Sequence, residues 1–521
     1  MKICSHRLVA SVFVSAFLAA SSLANATSPA DNSAEAETAR YFESIRNNPN
    51  LLLVFLREMP KGGDLHNHLL GAVYAESFIQ WAAANGLCVD RKTLFISLPP
   101  CGGEKGTLPA SKALSDPVLY REMIDAYSMR NWQLSGESGH DHFFDTFDKF
   151  IVASFGNTGK MLAETASRAA SQREVYQELM HAAAFPDVIA LANRTGWDDD
   201  LARQRDKLLA NGMAKVVAAA RKEMDEAEAV RNQLLRCATA QPDPGCTIAQ
   251  RYQYMVLRGQ PKEIVFAQMV LGFEAASVDS RFVALNLVQP EDWYVPTRDF
   301  SLHMRMLQYL HSVYPKVHIS LHAGELAQGL VPPEELRFHI RDAIEIGHAE
   351  RIGHGIDVMN EKAPLQLLRE MAEGNVMVEI CLTSNDVILG VSGPQHPLSQ
   401  YIRAGVPVAL ATDDEGVSRS DMTHEFLRGA IDQKLSYSQL KKMARTSLEY
   451  AFVPGASLWS DGKNFVMAKE CANDVPGATS LACQKLLGSS DKARLQWKLE
   501  EQFREFEGRK WAATEETVSA Q

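Results

Sequence analysis

Between residues 317 and 412 the chain alternates apolar runs of strand length with helical stretches, and this rhythm restricts the fold more than any other feature. The apolar runs are 317–322, 351–354, 376–380 and 408–412; the helical stretches are 334–346, 363–373 and 398–404. Strands that alternate with helices build a parallel sheet, because each crossover helix covers a sheet face. Earlier runs of strand length are the stretch around His66, residues 174–179, 264–271 and 282–288. Eight such strands suit a closed (β/α)8 barrel of the TIM type, an α/β fold. A doubly wound open sheet is the alternative that the rhythm alone leaves standing.

The polar residues at the strand ends bear on that choice. The opening strand ends in His66-Asn67-His68, whose two imidazoles share one face because strand side chains alternate. Residues 317–322 end in His322, followed by Ala-Gly-Glu325; the next run gives Arg351-Ile-Gly-His354; the last ends in Asp413-Asp414. The C-terminal mouth of a β/α barrel is where catalytic residues collect. An open sheet would hold its first and last strands far apart, whereas closure sets His66 and His68 beside Asp413. Three histidines and one aspartate make a nitrogen-rich ligand set that favours zinc or a similar transition metal over magnesium or calcium. Singly, each residue has a plainer reading. His66 and His68 fit two unrelated histidines, and His322 fits a satisfied core histidine, as His318 reads on the same strand. Asp413-Asp414 fits a helix N-cap with first-turn charge, and Glu325 a solvated carboxylate.

The first 26 residues read as a secretory leader: Lys2, His6 and Arg7, then an apolar run from Leu8 to Leu23, then Ala24-Asn25-Ala26. The mature chain is expected to be periplasmic or secreted, with no later membrane span. A formal net charge of −11 argues against nucleic-acid and anionic-membrane partners. Of the eight cysteines, six fall into close pairs that read as local disulfides in an exported protein: Cys88 and Cys101, Cys237 and Cys246, Cys471 and Cys483. Cys381 is left as a buried free thiol. Residues 27–38 read as a polar, fraying stretch and 39–58 as helix broken near Pro49, so 27–58 forms an N-terminal helical segment before a barrel over 59–455. Residues 198–235 are charged, Ala-rich and helical, an inserted hairpin over about 196–255 closed by Cys237 and Cys246; 456–521 is a helical extension. Phe143, Phe144, Phe147, Phe150 and Ile151 form one helix face, which suits either core packing or a lid over a pocket.

Five segments together resemble the adenosine deaminase family of the metal-dependent amidohydrolases, with features of its secreted, growth-factor-related branch. They are Pro60 to His68, Ser320 to Glu325, Arg351 to Gly355, Glu379 to Asn385, and Gly405 to Asp414. The resemblance implies one zinc per subunit on His66, His68, His322 and Asp413. It implies that Glu325 protonates purine N1, that His354 orients the attacking water and helps deprotonate it, and that Asp414 accepts a hydrogen bond from N7. Gln289 stands near the position of a glycine whose backbone approaches the base, and Leu70 where the family often carries an acid that contacts the ribose. The expected function is hydrolytic deamination of adenosine and 2′-deoxyadenosine to inosine-type products and ammonia. Alternatives are deamination of another aminopurine or a 5′-modified adenosine, and a non-catalytic binding role. The expected partner is a purine nucleoside, and a homodimer is possible.

Overall fold

The computed structural model describes residues 33–103, 106–475, 477–509 and 511; the leader expected over 1–26 lies outside them. Eight parallel strands hydrogen-bond in chain order: β1 (Gly62–His68), β2 (Glu174–His181), β3 (Ala249–Leu257), β4 (Phe282–Val288), β5 (His318–Ala323), β6 (Arg351–His354), β7 (Met377–Ile380) and β8 (Val408–Leu410). The ring closes just past β8. The Asp413 N–H donates to the His66 carbonyl at 2.8 Å, and the His68 N–H donates to the Asp413 carbonyl at 3.1 Å. The fold is a (β/α)8 barrel with helices packed around it.

The third strand is not the one expected. Residues 264–271 lie in the helix Lys262–Val278, whose residues from Ile264 to Phe273 are all buried. A run that is apolar on every side fits a buried helix and a buried strand equally well, and only length separates them. The true strand, Ala249–Leu257, carries Gln250, Arg251 and Gln253 and so lacks a continuous apolar run; its buried Tyr252, Tyr254 and Val256 fall at alternate positions. It also shortens the helical insertion expected to reach about 255. The helices Leu201–Ala210 and Met213–Leu234 end before the Cys237–Cys246 bridge and belong to the crossover from β2 to β3.

Gln253 packs inside the barrel, where a polar layer replaces the usual branched apolar filling, whereas Gln250 on the opposite face donates outward to the Leu162 carbonyl and Thr165 of the helix Thr158–Ser171. Gln253 donates to Glu178 of β2 (3.1 Å) and to the Leu65 carbonyl of β1 (2.8 Å), and accepts from Asn286 of β4 (3.1 Å). Arg351 on β6 reaches across to Glu178 at 2.6 Å and sideways to Glu379 of β7 at 2.7 Å, all three fully buried. Its guanidinium also lies 3.9 Å from the Phe452 ring centroid.

The flanks follow local rules. Asn48 caps the helix Pro49–Glu58 by accepting from Leu51 N–H, which places the break near Pro49. The preceding helix, Ala34–Ile45, starts earlier than the polar composition of 27–38 suggested, because Ser33 caps it. His318 is not a core residue: it is 44% exposed and pairs with Glu350 at 2.8 Å. The three expected disulfides form, and Cys381 is free and buried. Among the described residues no helix is long and apolar enough to cross a membrane.

Removing one partner of a fully buried ion pair strands the other charge, at a cost of about 3–5 kcal/mol. Arg351→Met is therefore expected to lower the unfolding free energy by about that much in urea titration; a loss below about 1 kcal/mol would show that the layer does not bind the barrel together.

Candidate active site

His66 and His68 leave the last residues of β1, His322 follows from β5, and Asp413 sits on the residue that closes the ring. Their ligand atoms lie within 4.8 Å of one another. His66 Nε2 is 3.0 Å from His322 Nε2, and His68 Nε2 is 3.1 Å from the same atom. Asp413 Oδ1 lies 3.2 Å from His68 Nε2 and 3.6 Å from His66 Nε2. A tetrahedral shell with bonds of about 2.0–2.1 Å has edges of about 3.3–3.4 Å, so these separations fit one small divalent ion. Burial works against a charged His66, yet Asp413 and Glu379 pull its pKa up to about 10, whereas burial and the neighbouring imidazoles push His322 well below the usual histidine range and keep it neutral.

Outer partners fix three of the four ligands. Glu379 Oε2 is 2.6 Å from His66 Nδ1, Asn286 Oδ1 is 2.9 Å from His322 Nδ1, and Ser384 donates to Asp413 Oδ2 at 2.5 Å. With Nδ1 of His66 and His322 engaged, their Nε2 atoms face each other and the remaining ligands. Gly353 is the β6 residue beneath His66: a Cβ there would stand 2.4 Å from His66 Cε1. Gly71 does the same service for Asp414, whose Oδ1 would lie 1.6 Å from an added Cβ. The sequence reading gave no role to Glu379, Asn286, Ser384 or Asn385. A lone polar residue inside an apolar strand, as in Phe-Val-Ala-Leu-Asn286-Leu-Val and Met-Val-Glu379-Ile, is the signal that marks the first two.

The remaining expected site residues converge on the same spot. Glu325 Oε1 lies 3.6 Å from His354 Nε2, and the Glu325 backbone N–H donates to Glu291 Oε2 at 2.9 Å. Burial, then the charge of Asp413, pushes Glu325 up to about 8. Burial and Asp413 likewise hold the Asp414 carboxyl well above the usual range. Burial lowers His354 to about 3, so its ring is neutral. Asn385 donates its amide to His354 Nδ1 at 2.9 Å, leaving the ring hydrogen on Nε2. Gln289, His354 and Asp413 all have φ between 61° and 82°, left-handed backbone held by non-glycine residues at strand ends. Gln289 thus takes the glycine-type conformation, with its side-chain oxygen accepting from Gly259 N–H at 2.8 Å. Leu70 is half-buried against the core.

The phenylalanine-bearing helix Gly139–Phe150 crosses the mouth. Gly139 lies against the Val387 carbonyl beyond β7, the helix packs on Glu415–Ser418 beyond β8, and His140 Nε2 reaches Asp292 beyond β4 at 3.1 Å. Strands β4 and β8 are opposite in an eight-stranded ring, so a helix touching both loops lies over the opening. Phe143 and Phe150 are buried, so the helix is both core and cover.

The adenosine deaminase family model matches residues 135–458. An adenosine deaminase of Klebsiella pneumoniae is 39% identical over 137 residues, which is 26% of this chain and 38% of that protein's length. One of Escherichia coli (strain SE11) is 37% identical over 137 residues, with the same shares. Among solved structures, the N6-methyl-AMP deaminase from Arabidopsis thaliana superposes with a TM-score of 0.50 at 20% identity, over 77% of this chain and 94% of that one. A cog1816 amidohydrolase from Burkhoderia ambifaria with bound Zn gives a TM-score of 0.50 at 17% identity, over 79% and 89%. At these identities the structures bear on the fold alone.

Replacing a carboxylate that orients a metal-bound histidine typically costs about 10–100-fold in metal affinity. Glu379→Gln is expected to show a loss of that size in chelator competition, and Asn286→Ala a similar one; unchanged affinity in both would remove their orienting role.

Proposed function

The chain belongs to the adenosine deaminase family, and from that membership and the geometry at the barrel mouth we propose that it is an exported, zinc-dependent deaminase of adenosine and 2′-deoxyadenosine. The observation that carries the reading is the meeting of a metal-sized ligand set with a buried carboxylic acid, Glu325, that burial keeps protonated near neutral pH. The three local disulfides support an oxidising compartment.

Zinc held by His66, His68, His322 and Asp413 would supply the Lewis acidity that lets water act as a nucleophile at neutral pH. The rest falls to the chain. Glu325 gives its proton to N1, so negative charge does not build on the ring as C6 is attacked. His354, hydrogen on Nε2 and Nδ1 engaged by Asn385, donates to the attacking water and orients it. This tautomer supports the orienting half of the role expected from the sequence and not the deprotonating half. The hydrogen bond to N7 runs opposite to expectation. N7 of a neutral adenine is an acceptor, and Asp414 is held protonated, so Asp414 donates. Gln289 offers the base its backbone in the glycine-type turn. The helix Gly139–Phe150 excludes water from the closed site, which strengthens each of these interactions.

Leu70 favours a second, narrower reading of the sugar end. A leucine gives the ribose 5′ hydroxyl no hydrogen bond from that position, so 5′-deoxyadenosine should be turned over about as well as adenosine.

Loss of absorbance at the adenine band on incubation with adenosine tests the activity directly. Chelation should abolish it and zinc restore it. Glu325→Gln should lower kcat by about 10²–10⁴-fold while metal content stays unchanged. Because the working form of Glu325 is the protonated one, kcat should hold below its pKa and fall as pH rises through about 8. A flat profile to pH 10, or near-normal turnover by Glu325→Gln, would contradict the assignment.

A further inference from the structure

At the opposite end of the barrel from the metal ligands, a cavity of about 630 Å3 opens beside the Cys237–Cys246 bridge, between the helix Met213–Leu234 and the first residues of β3. In a chain of net charge −11 its lining is basic: Arg231, Arg251 and Arg281 face it with one carboxylate, Glu228. That carboxylate is committed elsewhere. Glu228 accepts from the Tyr252 hydroxyl at 2.9 Å and pairs with Arg281 at 3.3 Å, and Arg281 is already matched by Asp279 at 2.7 Å and Asp225 at 2.8 Å.

Arg231 and Arg251 are left over. Among the described residues Arg231 forms no ion pair; it donates through Nη2 to the carbonyls of Gly245 and Ile248, at 3.3 and 3.0 Å. Arg251 has a single long contact, Asp491 at 3.7 Å, and donates to its neighbour's carbonyl, Gln250, at 2.9 Å. The Nε–H of each is buried without a partner. Lys498 adds a third cation, reaching the Thr247 carbonyl at 3.1 Å beside the same bridge. Two half-buried guanidiniums, one without an ion pair and one with only the long contact to Asp491, repel one another and lose hydration with little return. Chains usually relieve such an arrangement with an acidic side chain; here there is instead a cavity lined by amides and arginine side chains, the chemistry that recognises phosphate and similar oxyanions.

We propose that this cavity is a binding site for a tetrahedral oxyanion, free phosphate or the phosphoryl group of a small metabolite, held by Arg231 and Arg251. An occupant would tie the β2–β3 crossover, the disulfide loop and the barrel floor together, far from the reacting atoms. It is independent of the deaminase chemistry.

Equilibrium dialysis or calorimetry on the full chain tests it, with inorganic phosphate and ribose 5-phosphate as probes and chloride holding ionic strength constant. One saturable site per chain is expected, weakened about tenfold or more in Arg251→Gln and in Arg231→Lys. Arg251→Gln removes no ion pair shorter than 3.7 Å, so it should fold, and an unchanged circular-dichroism spectrum and thermal midpoint confirm that it has. Tighter phosphate binding identifies the free ion, and tighter ribose 5-phosphate binding a phosphorylated metabolite. Absence of saturable binding by either probe, or affinity unchanged in both variants, overturns the proposal.

Discussion

Two backbone hydrogen bonds between β1 and Asp413, just past β8, from Asp413 N–H to the His66 carbonyl and from His68 N–H to the Asp413 carbonyl, hold this molecule's chemistry together. They close the barrel, and they close it on the ligands. His66 and Asp413 are 347 positions apart in the chain, yet backbone pairing sets them side by side before any metal contributes. His322 from β5 then approaches from across the ring. The donor set is thus assembled by sheet geometry, which is why rigid strands rather than loops carry three of its four members.

Below the ligands, the polar interior keeps that geometry from drifting. Glu379 aims His66, Arg351 holds Glu379, and Glu178 on the far wall holds Arg351. A hydrocarbon-filled barrel could not transmit orientation in this way, because apolar side chains pack without directional preference. The left-handed residues at the mouth are the complement: Gln289, His354 and Asp413 turn sharply where their strands end, and the surrounding hydrogen bonds keep them there. Rigidity below and strain above both serve a site whose parts must meet within fractions of an ångström.

Much of this was legible in the sequence. The alternation over 317–412 and the ligand-type residues at strand ends were enough for a closed barrel and for the convergence of His66, His68, His322, Glu325, His354, Asp413 and Asp414. What the sequence hid has physical reasons. Residues 264–271 are buried on all sides, so their helix shows no amphipathic stripe. Strand Ala249–Leu257 alternates buried Tyr252, Tyr254 and Val256 with polar residues that include Gln253 in the barrel interior, so it shows no continuous apolar run. Glu379 and Asn286 act through histidines 313 and 36 positions away; each stands out as a lone polar residue in an apolar strand, but that pattern does not say which side chain it orients. The direction of the proposed hydrogen bond to N7 follows from chemistry alone, since N7 of neutral adenine only accepts; what burial beside Asp413 adds is a protonated Asp414 able to donate.

The central claim is that barrel closure makes one nitrogen-rich metal site from these four residues. A competing set exists within reach, since Cys381 lies close to both His66 and His354. X-ray absorption spectroscopy of the zinc-loaded protein separates them. The account predicts a shell of nitrogen and oxygen at about 2.0–2.1 Å with imidazole multiple scattering and no sulfur. A scatterer at about 2.3 Å, lost in Cys381→Ser, would contradict it.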